Sequence, residues 1–319
     1  MRIGVDVQGG DFAPQAVLDG VKLFLTENNK AAETTLYLFG NKEIIENYIA
    51  ENNLGGYNLV VVASENDIEM AESPTRAIAT KRKSSIVQGI VYHQQGEIDA
   101  FLSAGNTGAL LAGVMSTVKP ISGILRPCIS SPMPKFDGTY GVLLDVGLNA
   151  DCKPEYLEQF AILGSIYARE VQHIENPKVA LLNIGEEPEK GNLLTKATYK
   201  LLKENPHINF IGNLEPNYLF CKHEADVIVS DGFTGNIALK EAESIYKLIK
   251  QRGVKDDFFE IFNYENYGGT SILGIDATVL IGHGHSSPVA IKNLILHAIE
   301  IAESHVRESF KEFFANAAN

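Results

Sequence analysis

The sequence predicts an α/β fold of three layers, α/β/α, in which a mostly parallel sheet carries helices on both faces. Three observations carry that expectation. A unit recurs along the chain: a short aliphatic run, a Gly-containing polar turn, then an amphipathic stretch. The stretches after the turns repeat apolar residues at helical spacing. Strands alternating with helices also need crossovers, and right-handed crossovers bring every strand-to-helix turn to one edge of the sheet.

The first strand, Ile3–Val7, turns at Gln8-Gly9-Gly10-Asp11 into a helix over Ala16–Leu25. Ala100–Ser103 leads through Ala104-Gly105-Asn106-Thr107-Gly108 into Ala109–Val114. Tyr140–Val146 leads through Gly147-Leu148-Asn149-Ala150-Asp151 into Glu155–Arg169, with Asp151 and Pro154-Glu155 marking the helix start. Val179–Ile184 is followed by a longer loop that opens with Gly185-Glu186-Glu187. Val227–Ser230 leads through Asp231-Gly232-Phe233-Thr234-Gly235-Asn236 into Ile237–Lys250. Thr278–Ile281 leads through Gly282-His283-Gly284-His285-Ser286-Ser287 into Pro288–His305. In that last helix Ile291, Leu294, Ile295, Ala298, Ile299 and Ala302 share one face, and Ser287-Pro288 supplies an N-cap and an N1 proline. Lys250–Asn263 breaks the pattern. It reads as a partly helical excursion, around 245–266, from a single domain spanning 1–319.

With 45% apolar and 21% charged residues, the chain is neither disordered nor collagen-like. Forty acidic residues against 27 basic ones give a net charge of −13. That balance disfavours nucleic acid as a partner, because phosphate neutralisation dominates such binding. Cys128, Cys152 and Cys221 are odd in number and widely spaced, which fits a reducing compartment better than a disulfide framework or a zinc knuckle. No signal-peptide pattern precedes the first strand and no apolar run is long enough to span a bilayer, so a cytoplasmic protein is expected.

The turns that converge on the sheet edge are rich in Gly, Asn, Ser and Thr, and three of them carry asparagine: Asn106, Asn149 and Asn236. Glycine admits close backbone approach, and helix N-termini offer N–H groups to an anion, so the edge reads as a site for phosphate or a developing oxyanion. The first turn lacks G-x-G-x-x-G spacing, which weighs against a dinucleotide enzyme. Neither a phosphate-binding G-x-x-x-x-G-K-[ST] loop nor a G-x-S-x-G nucleophile elbow occurs. Cys128 reads as a small buried apolar residue more readily than as a nucleophile. His283 and His285 stand two apart, where an extended chain projects both to one side; without a third ligand they suit substrate contact better than a metal. Lys190 has two readings: a cation for phosphate or an oxyanion, or a solvated lysine paired with Glu186 or Glu189. Arg76 and Lys81-Arg82-Lys83 form the one dense basic run, in a segment of helical spacing, and read as a solvated face or as a docking patch for an acidic partner.

These motifs resemble the bacterial phosphate acyltransferase family of phospholipid synthesis (the PlsX family) over nearly the whole chain. The resemblance runs through Val5-Asp6-Val7-Gln8-Gly9-Gly10-Asp11, Glu72-Ser73-Pro74 to Lys83-Ser84-Ser85, and Ser103 to Ala109. It continues through Gly123 to Pro127, Leu144 to Pro154, Leu182 to Glu187, Ser230 to Asn236 and Tyr267-Gly268-Gly269. It implies a fold like that of phosphotransacetylase and isocitrate dehydrogenase, a homodimer, and no cofactor or metal. It also implies a reaction: acyl-[acyl carrier protein] and inorganic phosphate give acyl phosphate, for phosphatidic acid synthesis, and free carrier. By the same resemblance Lys190 and Asn236 act at the reacting centre. Gly9, Gly10, Asp11, Asn106, Asn149, Asn183, Asp231, His283 and Ser286 then line the site, and Arg76, Lys81, Arg82 and Lys83 receive the carrier. Two departures from the family pattern stand out. Gln8 replaces the usual Met before Gly-Gly. The 250–263 segment, basic and apolar in relatives that touch the membrane peripherally, here mixes Lys250, Arg252 and Lys255 with Asp256, Asp257 and Glu260, beside Phe258, Phe259 and Phe262. A phosphotransacetylase using coenzyme A, a non-catalytic protein that binds an acyl or phosphorylated ligand, and a dehydrogenase remain as other readings of the residues.

Overall fold

A computed structural model of the chain describes residues 1–221 and 224–317; residues 222, 223, 318 and 319 of the expected 1–319 domain lie outside it. Its packing divides the chain into two compact units. Unit 1 comprises Met1–Lys119, Tyr264–Ser271 and Ile275–Glu303; unit 2 comprises Pro120–Asn263, Ile272–Gly274 and Ser304–Asn319.

In chain order, unit 1 begins with β1 (Arg2–Asp6), α1 (Gln15–Glu27), β2 (Thr35–Gly40), α2 (Lys42–Glu51) and β3 (Leu59–Ala63). It continues with α3 (Pro74–Thr80), α4 (Ser85–Gln94), β4 (Ala100–Ser103) and α5 (Thr107–Thr117). Unit 2 follows with β5 (Cys128–Pro134), β6 (Tyr140–Leu144), α6 (Pro154–Glu170), β7 (Lys178–Leu182), α7 (Leu193–Glu204) and β8 (Asn209–Leu214). It then adds β9 (Val227–Val229), α8 (Gly232–Gln251) and α9 (Asp257–Glu260). The chain returns to unit 1 for β10 (Gly269–Leu273, its last two residues in unit 2), β11 (Val279–Gly282) and α10 (Pro288–Glu303), and ends in unit 2 with α11 (Val306–Ala317).

Within unit 1 the strand order is β3-β2-β1-β4-β11-β10, parallel except for β10 against β11. Within unit 2 it is β5-β6-β9-β7-β8, parallel except for β5 against β6. Central strands such as β4 and β11 are buried along their whole length, as a sheet covered by helices on both faces requires. The apolar face expected on α10 is buried at Ile291, Leu294, Ile295, Ala298 and Ile299 and packs on α1, which buries Val17, Leu18, Val21 and Phe24.

The anticipated βα units are all present. Four details differ. α8 begins at Gly232 with Asp231 at its N-cap, so Phe233, Thr234, Gly235 and Asn236, expected in the turn, are helical. α6 begins at Pro154 with Lys153 at its N-cap, so Asp151 is not the cap. α10 ends at Glu303 rather than His305, because His305 turns left-handed (φ 55°) and starts a new helix. The basic run does not sit on one helix: Arg76 is in α3, while Lys81, Arg82 and Lys83 lie in the turn between α3 and α4. The excursion contains the end of α8 and the short α9. There Phe258 packs edge-on against Phe259 and Phe262, and Phe262 against Phe220. Among the described residues no helix is long and apolar enough to cross a membrane.

Candidate active site

In each unit the polar turns gather at the carboxyl ends of neighbouring parallel strands, the place where open α/β sheets bind ligands.

In unit 1 the edge is formed by the ends of β1, β4 and β11. Asp6, buried at the end of β1, accepts hydrogen bonds from Ser103 Oγ (2.6 Å) and the Gln8 N–H (3.1 Å). Gly9 follows so closely that a Cβ there would sit 2.5 Å from Asp6 Oδ2 and 2.7 Å from the Gly105 nitrogen. No larger residue fits. Burial pushes the Asp6 carboxyl up to about 6, against the pull of the Ser103 and Ser85 hydroxyls. Gln8, the residue that replaces Met, donates from its amide to Asp67 Oδ2 (3.0 Å). Beyond Gly10, the Asp11 N–H donates to the Gly284 carbonyl (2.8 Å), and Asp11 Oδ2 lies 3.0 Å from His285 Nδ1. The two histidines do not act as a pair on an extended chain. The His285 N–H donates to His283 Nδ1 (3.1 Å), which fixes the proton of a neutral His283 on Nε2, and the His283 ring lies against Tyr264. Ser286 Oγ donates to the His283 carbonyl (2.6 Å).

Asn106 is the N-cap of α5. Its Oδ1 accepts from the Ala109 N–H (2.9 Å), and its Nδ2 faces the carbonyls of Glu69, Met70 and Glu72 at 3.0–3.2 Å. Its amide is occupied in capping the helix and tying down the 69–72 segment.

In unit 2 the edge is formed by the ends of β6, β9 and β7, three adjacent strands. Asp145, fully buried after β6, accepts five N–H groups. Oδ1 takes those of Ile129, Gly147 and Leu148 (2.9–3.2 Å); Oδ2 takes the backbone and side-chain N–H of Asn149 (2.7 and 2.8 Å). Burial pushes this carboxyl up and the N–H donors pull it back. In the sequence Asp145 is one position inside the Leu144–Pro154 motif. A buried acid at a strand end before Val-Gly was the available signal, and Asp6 carries its counterpart. Asn149 also donates to the Pro127 carbonyl (2.8 Å), so its side-chain N–H groups serve the turn. Asp231 is the N-cap of α8, its two oxygens accepting from the Thr234 N–H and Oγ (both 2.8 Å).

After β7, buried Asn183 holds the loop that carries Lys190. Its Nδ2 donates to the Lys190 carbonyl (3.2 Å) and its Oδ1 accepts from the Ile184 N–H (2.9 Å). Gly191 (φ 94°) closes the loop where a Cβ would collide with Asn183 Oδ1 and Thr195 Oγ1. The stem of Lys190 crosses Gly185, and the side chain is exposed. Among the described residues Lys190 has no ion pair, with Glu186 and Glu189 included. Asn236, the fifth residue of α8, is exposed beside Gly147 and its amide makes no hydrogen bond among the described residues. Of these three asparagines, two brace the backbone and the amide of the third has no internal partner among the described residues. Unit 2 thus presents an ammonium and an amide, both without internal partners, at the ends of adjacent strands β7 and β9. An anionic oxygen is the natural guest of such a pair.

The remaining residues singled out from sequence have structural surroundings. Cys128 is buried at the start of β5, where burial pushes its thiol well up. Lys81 pairs with Glu72 and also donates to the Asp67 carbonyl (2.8 Å), while Lys83 pairs with Glu65 (3.1 Å). Arg76 and Arg82 are exposed and without ion pairs among the described residues.

This is a three-layer α/β fold with polar turns at the strand ends of each unit, and solved structures share it. A phosphotransacetylase from Streptococcus pyogenes superposes with a TM-score of 0.68 at 16% identity, covering 95% of this chain and 94% of that one. A branched-chain phosphotransacylase from Enterococcus faecalis superposes with a TM-score of 0.63 at 12% identity, covering 95% and 99%. The family model described as "Fatty acid synthesis protein" matches residues 1–309. Proteins named phosphate acyltransferase from Dictyoglomus turgidum (40% identical, 96% of this chain and 94% of the relative) and Thermoanaerobacterium thermosaccharolyticum (42%, the same coverage) align over nearly their whole length. The chain belongs to this phosphate acyltransferase family and is an acyltransferase enzyme.

Proposed function

We propose that the enzyme moves an acyl group from the thioester of acyl carrier protein to inorganic phosphate, supplying acyl phosphate for phosphatidic acid synthesis. The observation that carries this reading is the unpartnered pair Lys190 and Asn236 at the ends of neighbouring strands. A phosphate oxygen attacks the thioester carbon. The C–O bond forms as the carbonyl π pair moves onto oxygen. The tetrahedral oxyanion then collapses, the C–S bond breaks, and the thiolate leaves to take a proton from water. An ordinary thiol has a pKa of about 8.5, so the leaving group needs little help. What remains is to hold two anionic partners together and to meet the charge that develops on the carbonyl oxygen. The Lys190 ammonium and the Asn236 amide N–H are assigned that task. Asn149, Asn183 and Asp231 shape the turns that hold them.

Substrate contact is also proposed for Gly9, Gly10, Asp11, Asn106, His283 and Ser286 of unit 1; Asn106, with its amide occupied, contributes through the turn it shapes. Arg76 and Arg82 are what the basic run still offers to an acidic carrier, since Lys81 and Lys83 are paired. A homodimer is supported by the exposed stripe Phe233, Ile237, Ile245 and Leu248 along α8, which a second copy would cover. Peripheral membrane contact through the half-buried Phe258, Phe259 and Phe262 rests on the family resemblance.

The test is phosphate-dependent release of thiol from acyl carrier protein, with acyl-CoA in parallel. Release from the carrier that is lost in Lys190→Ala is the expected result. Release from CoA alone moves the enzyme to the phosphotransacetylase reaction, and binding without release makes it an acyl-binding protein.

A further inference from the structure

Helix α7 starts three residues after Lys190, and its exposed face carries a row of lysines. Thr195, Thr198 and Leu202 are its buried side. Opposite them Leu193, Lys196, Lys200 and Lys203 follow one another at steps of three, four and three, a single stripe about 15 Å long. Leu193 is 89% exposed, the largest value among the exposed large apolar residues. The three lysines are exposed, and none has an ion pair among the described residues. Together with Tyr199 they line a groove of about 860 Å³, whose wall also holds Glu189 and Glu204.

In a chain of net charge −13, three neighbouring unpaired lysines are unusual. The run between α3 and α4 shows the ordinary outcome, with Lys81 on Glu72 and Lys83 on Glu65. A basic stripe ending in a bare leucine beside the reacting lysine matches one kind of partner. That partner is acidic, presents its charges along a helix with an apolar residue at one end, and delivers its thioester on a flexible arm.

We infer that the α7 face, Leu193, Lys196, Lys200 and Lys203, is where the acidic acyl carrier docks, aligned so that its arm leads toward Lys190. This rests on the functional reading above. The stripe starts beside the loop of Lys190 and runs along α7 away from the strand ends, so a carrier lying on it leaves its arm at the Lys190 end. Opposite charges set the approach rate and register, and Leu193 is covered on contact.

The experiment compares wild type with K196E/K200E/K203E on two substrates: acyl carrier protein, and acyl-pantetheine, which has the arm without the acidic protein. The triple variant is expected to raise the carrier KM about tenfold or more, with kcat and the acyl-pantetheine KM within about twofold. Unchanged acyl-pantetheine turnover also shows that the variant folds. Raising the salt concentration should raise the wild-type carrier KM and leave that of the variant nearly flat. Leu193→Ser gives a second, uncharged reading of the same contact, with a higher carrier KM and no change in salt dependence. Wild-type turnover of carrier with an unchanged KM in the triple variant overturns the docking and leaves the reaction standing, as does a KM that rises only in R76E/R82E. Wild-type turnover of acyl-pantetheine with none of carrier overturns both. Loss of sedimentation with anionic phosphatidylglycerol vesicles in the triple variant, at unchanged carrier KM, overturns the inference and gives the face to a lipid surface.

Discussion

Asp6 closes β1 in unit 1 and Asp145 follows β6 in unit 2. Each is buried, each is followed by valine, and each stands at the root of a glycine turn. Their surroundings differ. Asp145 collects five N–H groups, four from the backbone around it and one from Asn149. Asp6 has one backbone N–H and serine hydroxyls, and its carboxyl rises to about 6. Burial opposes the charge in both places and the donors pull against it, while the Asp67 charge adds to the rise at Asp6. The turns differ in consequence. In unit 2 the aspartate and Asn149 hold the turn between them, which leaves Asn236 and Lys190 free of structural duties. In unit 1 the edge side chains already have partners: Asn106 on backbone groups, Gln8 on Asp67, and Asp11 on His285.

The sharpest way to break this comparison is Asp145→Ala. It strands five N–H groups around a buried hole and should cost about 4 kcal/mol or more in urea unfolding. A loss below about 1 kcal/mol would mean that the donors find other partners. Lys190→Ala comes next and acts on rate rather than stability. We expect kcat to fall about 10²–10³-fold while the unfolding free energy stays within about 0.5 kcal/mol of wild type. Equal losses in both would make Lys190 a scaffold residue.

Asp6 predicts a pH effect of the opposite sense to most carboxylates. Its folded pKa lies above the ordinary value, so the folded state holds the proton more tightly. The resulting stability is complete below about pH 4 and is lost as the pH rises through about 6. Asp6→Asn stays neutral throughout. Relative to that variant, wild type should lose about 3 kcal/mol between pH 3 and pH 8, measured by urea unfolding at several pH values. A pH-independent difference would sink the assignment. The smallest effects compare the two caps. Asn106→Ala should cost about 2 kcal/mol, because the side chain both caps α5 and ties down 69–72. Asp231→Ala should cost about 1 kcal/mol, the cap alone. Equal costs would show that the 69–72 contacts add nothing.

Much of this was legible in the residues. The strand-turn-helix units could be read because aliphatic runs, glycine turns and 3.6-residue periodicity are local. The asparagines show where local reading stops. Asn106, Asn149 and Asn236 look alike as turn residues, yet one caps a helix, one braces an aspartate, and one has an amide with no internal partner. The difference lies in partners 3 to 37 residues away in sequence. The basic surfaces show the same limit in reverse. Lys81-Arg82-Lys83 is conspicuous because it is contiguous, and it is largely neutralised. Lys196, Lys200 and Lys203 are spread over eight positions, and only the helix turns them into one face.

By itself the sequence determined the α/β class, the strand-turn-helix units that carry the polar turns, the position of those turns at strand ends, and the family. All of these follow from short-range periodicity and from motifs of consecutive residues. Only the tertiary structure decided the division into two units, the antiparallel strands β5 and β10, and which polar side chains are already satisfied. Those outcomes depend on which distant segments meet, and on whether each buried donor or acceptor finds a partner there.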